Sequence, residues 1–288
     1  MSDWRRRLLV WYDAHRRDLP WRERRDPYAV WVSEAMLQQT TVATVLPFYA
    51  RWMARFPTVG ALAQAEIDEA LALWSGLGYY RRCRMLHEAA RRVTDEGWPA
   101  TAQEWRRLPG VGAYTAAALA SIVSNEPSAV VDGNVVRVYA RLNNDPATGT
   151  NLHRAAQKWA DRVIDRELPG EWNQAVMELG ATVCRPSGPK CGDCPVSDVC
   201  QAFAAGTAGS LPTKAPKPLS IRLSSTMVVP VSFGKVGFTK ITEGPWWRGL
   251  WECPQGESPE PWIGRLRPET VEPAGAFVFV VTRHRISL

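Results

Sequence analysis

From the N-terminus to about residue 206, apolar residues recur at helical spacing. Trp4, Leu8, Trp11 and Tyr12, with polar residues between them, predict an amphipathic first helix. Arg5, Arg6 and Arg7 lie at its start, but no uninterrupted apolar stretch with a small-residue cleavage site follows, so the segment reads as part of the fold and not as a targeting signal. Asp26-Pro27 offers an N-cap and a proline at the first helical position, and Tyr28 to Gln39 continues with helical periodicity. Further helices are predicted at about 40–55, 66–74, 80–96, 101–108, 113–124, 133–142, 151–166 and 171–183. Pro57, Gly76, Gly78, Pro99, Gly110, Gly112 and Pro127 punctuate them.

The texture then changes. Residues 207–220 are rich in Pro, Lys and small residues and read as a linker. Beyond it, Thr226 to Phe233, the Gly234-Lys235 pair and the residues after it read as strand, turn, strand; Ala276 to Thr282 reads as another strand. The expectation is a mainly α protein: a helical domain over 1–206, a linker, and a small β-rich module over 221–288.

Composition adds two things. Of 288 residues, 45% are hydrophobic and 22% charged, enough for an ordinary core, and no run of eighteen apolar residues suggests a membrane span. A net charge of +6 favours polyanionic partners, though weakly by itself. A cytoplasmic address is the default expectation.

Four of the six cysteines fall in one short segment, Cys184-x6-Cys191-x2-Cys194-x5-Cys200, with Gly188, Pro189, Gly192 and Pro195 in the gaps. Such crowding predicts a metal site and not a disulfide framework. Four thiolates suit tetrahedral zinc or a [4Fe–4S] cluster, and ligand type alone leaves both open. Cys83 and Cys253 stand apart.

Two other segments carry chemistry. Leu108-Pro109-Gly110-Val111-Gly112-Ala113-Tyr114 joins two helical patterns, and its glycines allow a tight turn whose N–H groups open a helix. That is an anion-binding geometry, or simply a turn between helices. Downstream, Val131-Asp132-Gly133-Asn134 puts a carboxylate ahead of a new helix, where an N-cap is the ordinary role. Glu34 sits in Ser33-Glu34-Ala35-Met36-Leu37-Gln38-Gln39-Thr40, where a solvated helix position is the ordinary reading.

Taken together, the octet around Glu34, the Leu-Pro-Gly-Val-Gly turn, the Asp-Gly-Asn segment and the cysteine spacing resemble the MutY-type adenine DNA glycosylases of the endonuclease III superfamily, over residues 1 to about 203. The resemblance implies a helix–hairpin–helix fold and a [4Fe–4S] cluster on Cys184, Cys191, Cys194 and Cys200. It implies a phosphate grip at Gly110, Val111 and Gly112, with the target base flipped out of duplex DNA. Glu34 would then protonate adenine at N7 and help activate water, and Asp132 would stabilise the sugar cation with Asn134 and Tyr114 in support. Adenine leaves poorly unless protonated, and its departure leaves an oxocarbenium-like sugar, so two acids in different environments answer both needs. Relatives with lyase activity carry a lysine where Tyr114 stands; a tyrosine forms no Schiff base, which implies a monofunctional enzyme.

By the same resemblance Tyr79, in Gly76-Leu77-Gly78-Tyr79-Tyr80, is the intercalating wedge, and Gln39 fills space in the helix beside Gln38 and Thr40. Leu19, Trp21, Arg22 and Glu178 line the adenine pocket. The implied partner is duplex DNA with adenine opposite 8-oxoguanine or guanine, bound by a nucleoid-associated monomer. Departures exist. Arg137 stands where lysine is frequent. Gly249 to Gly256 resembles a turn of the family's Nudix-like domain, but no Glu-rich helix is recognisable after it, which argues against pyrophosphohydrolase activity. Thr282 matches the hydroxyl of the lesion-reading triplet, but Arg283 occupies its histidine position, with His284 one residue on. Excision of another mispaired base such as thymine, a non-catalytic DNA-binding or redox iron–sulfur protein, and a structural zinc protein are the competing readings.

Overall fold

The computed structural model describes residues 3–23, 25–213, 219–244, 246–281 and 283–288. Two compact units divide between Ala215 and Pro216. The first is helical: α1 (Asp3–His15), α2 (Pro27–Leu37), α3 (Val42–Arg55), α4 (Val59–Gln64), α5 (Ile67–Trp74), α6 (Arg81–Glu96), α7 (Ala102–Trp105), α8 (Ala113–Ser124), α9 (Gly133–Leu142), α10 (Gly149–Val163), α11 (Pro169–Thr182) and the short α12 (Gln201–Ala204).

Local chemistry accounts for the boundaries. Asp26 caps α2 by accepting from the Tyr28 amide, and Pro27 takes the first position. α2 stops at Leu37, short of the expected Gln39, because Gln39 is left-handed (φ 59°). α4 was not anticipated; Thr58 caps it through the Ala61 amide, just after Pro57. α10 ends before the expected 166 because the Asp165 carboxylate takes the Glu167 and Leu168 amides into a turn.

α2 is buried from Tyr28 to Met36. On one side Trp31, Trp52, Trp74 and Trp105 are fully buried and meet edge to face. Each buried indole removes about 200 Å² from water, a gross gain of roughly 5 kcal/mol before entropy is charged against it. A second core joins Leu8 and Tyr12 of α1 to Val135 and Val138 of α9, Trp159 of α10, and Trp172, Val176 and Leu179 of α11. α11 lies against α1, α8 and α9, and α8 also packs on α2. The ends of α2, α8 and α9 and the body of α11 therefore meet between the cores. Residues 207–213, read as linker, are built into this unit: Ala208 and Leu211 pack with Ala202, and the Leu211 carbonyl accepts from Arg141.

The second unit holds a three-stranded sheet in which β1 (Ile221–Ser224) pairs parallel with β9 (His284–Ser287), and β9 pairs antiparallel with β8 (Val278–Val281). Short ladders join β2 (Thr226–Met227) to β7 (Gln255–Gly256), β3 (Val231–Ser232) to β4 (Lys235–Val236), and β5 (Thr239–Lys240) to β6 (Trp251–Glu252). The single strand expected over 226–233 is two, parted by Pro230, which has no amide to donate. The hairpin turn falls on Phe233 and Gly234, one residue earlier than expected, because both take the positive φ (49° and 71°) that a tight hairpin needs. The helix after the Gly249–Gly256 turn, α13 (Glu260–Leu266), carries a single carboxylate, Glu260. Among the described residues, no helix is long and apolar enough to cross a membrane.

Candidate active site

Glu34 lies near the C-terminal end of α2 and is 8% exposed, so the solvated-helix reading fails for it. Burial pushes its pKa up to about 7; the Tyr114 hydroxyl and Arg22 oppose the rise, and Asp132 adds to it. The Tyr114 phenol, in the first turn of α8, is raised well above its ordinary value by burial and then by the carboxylates of Glu34 and Asp132. Its hydroxyl also lies 3.6 Å from the Met177 sulfur.

Asp132 is indeed the N-cap of α9. One carboxylate oxygen accepts from the Val135 amide (2.8 Å) and the other from the Asn134 side-chain amide (2.7 Å). Capping fixes the carboxylate at the helix mouth while leaving it partly exposed, so the structural role and a chemical one coexist. Arg137 backs this turn, donating to Asn134 Oδ1 (2.7 Å), the Gly180 carbonyl (2.7 Å) and the Cys184 carbonyl (2.7 Å). Gly180 is what lets α11 come this close: a Cβ there would stand 2.5 Å from Asn134 Cβ.

Glu178, on α11, is fully buried between two arginines. It accepts from Arg17 Nε (2.6 Å), Arg17 Nη2 (2.9 Å) and Arg22 Nη2 (2.9 Å). Burial pushes its pKa up, but the Arg17 and Arg22 hydrogen bonds and charges outweigh that and hold it below the usual carboxylate range. Replacing Glu178 with Gln strands two arginine charges, one of them only 12% exposed. The expected cost is about 3 kcal/mol in urea denaturation, at the low end because Arg17 is partly solvated; a loss below 0.5 kcal/mol would show that the pair contributes nothing net. Leu19 and Trp21 are buried, and Trp21 packs edge to face on Tyr49 at 5.1 Å. Both are therefore core residues in this conformation.

Gln38, Gln39 and Thr40 form the turn after α2, and Gln38 donates to the Thr115 hydroxyl (3.3 Å). Tyr79 is 48% exposed, with φ 49°. In the Gly110–Val111–Gly112 turn, Gly112 is the N-cap of α8 and Gly110 has φ 78°. A Cβ at Gly110 would stand 2.8 Å from Met85 Cβ. Gly110→Ala should therefore lower thermal stability by roughly 1–2 kcal/mol and weaken duplex binding in anisotropy titrations; an unchanged affinity would remove the turn from the interface. Thr282 lies outside the described residues, so its assignment has no structural counterpart.

Cys184, Cys191, Cys194 and Cys200 form no disulfide and line one cavity together with Arg141. Among the described residues, no three His, Cys, Asp or Glu side chains converge as a group for a metal ion. Arg141 donates to Cys184 Sγ (3.3 Å) and is itself 2% exposed. Four sulfur donors spaced round one cavity, and not drawn onto a single point, suit a group larger than one ion, and a thiolate-ligated group of iron and sulfide is of that kind.

Residues 32–162 match the model of the HhH-GPD superfamily base excision DNA repair proteins. The chain is 50% identical to the adenine DNA glycosylase of Rattus norvegicus over 216 residues, covering 70% of this chain and 42% of that one. It is 49% identical to the Homo sapiens adenine DNA glycosylase over 209 residues, 68% of this chain and 38% of that one. It thus spans less than half the length of these relatives. Against the adenine DNA glycosylase of Buchnera aphidicola subsp. Schizaphis graminum it is 32% identical over 253 residues, 86% of this chain and 73% of the relative. Among solved structures, a thermostable thymine-DNA glycosylase superposes with a TM-score of 0.64 at 28% identity, over 70% of this chain and 95% of that one. A non-covalent endonuclease III–DNA complex superposes at 0.58 and 21% identity, over 70% of this chain and 95% of that one, a likeness of fold. The chain belongs to the adenine DNA glycosylase family of the HhH-GPD superfamily.

Sequence reasoning missed Arg17 as a partner of Glu178, Met177 beside Tyr114, and Gly180 as the spacer at Asn134. None carries a local motif. Each matters only because α11 packs against α1, α8 and α9.

Proposed function

We propose that this chain excises adenine from duplex DNA by hydrolysing its N-glycosidic bond. The observation that carries this reading is the carboxyl of Glu34, buried with a pKa near 7 beside Tyr114 and within the field of Asp132. An acid poised near neutral pH can give a proton to a base and then take one from water. With adenine flipped into the site, Glu34 protonates N7 and the C–N bond weakens. The Asp132 carboxylate faces the sugar as positive charge develops, oriented by Asn134 and the Val135 amide. Glu34, now charged, directs water to the sugar carbon. Tyr114 lies beside Glu34 and supplies no amine, so the abasic strand stays intact.

The remaining roles belong to the same reading. Gly110 and Gly112, exposed on either side of the buried Val111, hold a phosphate at the α8 N-terminus. Tyr79 and Gln39 enter the duplex, with Gln38 and Thr40 shaping the turn. Arg22, held in place by the buried Glu178, faces the base, with Leu19 and Trp21 as the packed wall behind it. The favoured substrate is adenine opposite 8-oxoguanine or guanine, with the enzyme acting as a monomer in the cytoplasm, near the nucleoid. Cys184, Cys191, Cys194 and Cys200 would hold a [4Fe–4S] cluster, which cross-links its loop and contributes folding free energy when bound.

Single-turnover release from duplexes with adenine opposite 8-oxoguanine or guanine, with and without alkali, tests the function. The expected result is strand scission only after alkali, fastest opposite 8-oxoguanine. No release from either duplex, with thymine released from a mispair instead, overturns the adenine assignment. For the cluster, the purified protein should be brown and contain iron and acid-labile sulfide in equal amounts. Stoichiometric zinc would rule the cluster out.

A further inference from the structure

Two residues without a glycine's freedom, Gln39 (φ 59°) and Tyr79 (φ 49°), are left-handed in the described backbone of the first unit close to the site. They lie forty residues apart in the chain, one after α2 and one before α6. A left-handed conformation is unfavourable for side chains of either kind and persists only where neighbours hold it. Both segments are held by the same side chain. Arg82 Nη1 donates to the carbonyls of Ala35 (2.8 Å), Met36 (3.0 Å) and Gln38 (2.6 Å), its two hydrogens shared among three acceptors. Its Nη2 reaches the carbonyls of Leu77 (3.4 Å) and Gly78 (3.3 Å). The Gln38 and Gly78 carbonyls belong to the peptide units that lead directly into Gln39 and Tyr79. The guanidinium also lies over the rings of Trp74 (5.4 Å) and Tyr79 (5.5 Å), and Trp74 Nε1 donates to the Gly78 carbonyl at 3.1 Å.

We propose that Arg82 is a positioning residue that latches the Gln39 turn and the Tyr79 loop to each other, so that both probes of the duplex are pre-set in their strained conformations before DNA arrives. This rests on the reading of Gln39 and Tyr79 as the residues that enter DNA. The geometry needs a planar fork: one edge serves the end of α2, the other serves the loop before α6. A lysine ammonium is a point charge and cannot span both sets of carbonyls. Preorganisation of this kind moves the ordering cost from the binding step to folding.

The test uses the full chain and a duplex with 2-aminopurine opposite 8-oxoguanine, whose fluorescence rises as the base leaves the stack. Wild type should give a rise. Arg82→Lys should give one smaller by about fivefold or more, since small misplacements of positioning groups carry large penalties. Tyr79→Ala combined with Gln39→Ala should also lose signal, and adding R82K to that pair should make it no worse, because a latch acts through what it holds. In the free protein, hydrogen exchange of peptides containing 38–40 and 76–80 should accelerate together in R82K. An unchanged fluorescence rise, losses that multiply, or acceleration in one segment alone overturns the proposal. If wild type itself gives no rise, the base-extrusion reading fails, and the exchange experiment still decides the latch. Should R82K fail to fold, Arg82→Gln takes its place.

Discussion

Glu34→Gln is expected to remove base release and, at the same time, to make the chain more stable in mild alkali. The first effect follows from the proton. Gln keeps the volume and a hydrogen-bonding end but can neither donate a proton to a leaving base nor accept one from water. A general acid–base group contributes roughly 10²–10⁴-fold, so single-turnover release should fall by at least that range. The wild-type rate should decline as pH rises through about 7, where Glu34 loses its proton. The residual rate of the variant should lack that limb.

The second effect follows from linkage. The folded pKa is raised from 4.5 to about 7, so between those values the folded chain binds more protons than the unfolded chain. The stabilisation is complete below the lower value and is lost as pH rises through the upper one. Above it, the buried carboxylate costs about 3 kcal/mol at 1.36 kcal/mol per unit. Gln carries no such cost. Urea melts should show E34Q more stable than wild type near pH 8 and equal to it near pH 4. A variant that keeps wild-type rates would remove Glu34 from the chemistry, and equal stability at both pH values would mean that the carboxyl is solvated in solution.

Asp132→Asn separates capping from catalysis. Asn is as good an N-cap as Asp, and its carbonyl oxygen can still accept the Val135 amide now held at 2.8 Å. The second contact is lost, because two amide groups would face each other where Asn134 Nδ2 now meets a carboxylate oxygen at 2.7 Å. The stability loss should stay near 1 kcal/mol or below. Base release should fall by roughly 10³-fold or more, since the negative charge opposite the developing sugar cation is gone. Duplex binding should change little. Release within tenfold of wild type would leave Asp132 as a cap and nothing else; a large loss of stability would make the rate uninterpretable and call for Asp132→Ser, which caps without a carbonyl.

The helical half was largely legible because its signals are local. Asp26-Pro27 starts a helix, Gly112 starts another, and apolar spacing marks the rest. Boundaries escaped where a side chain competed for the backbone, as Asp165 does after α10. The β-rich unit was less legible because its strands are mostly two residues long, too short to carry a period. Its sparse core, with Ile286 and Pro254 buried among the described residues, leaves little pattern to read.

Residue identity and spacing alone determined four thiols in one segment, a glycine turn that opens a helix, a capping carboxylate, and an octet whose resemblance singled out Glu34. They could not determine ionisation or partnership. Glu34 is an acid near neutral pH because the ends of α2 and α8 close over it, and Glu178 is a charged one because Arg17 and Arg22 reach it from the other end of the chain. Both are glutamates on helices, and no local pattern tells them apart. Desolvation and charge pairing do, and those are set by which helices touch.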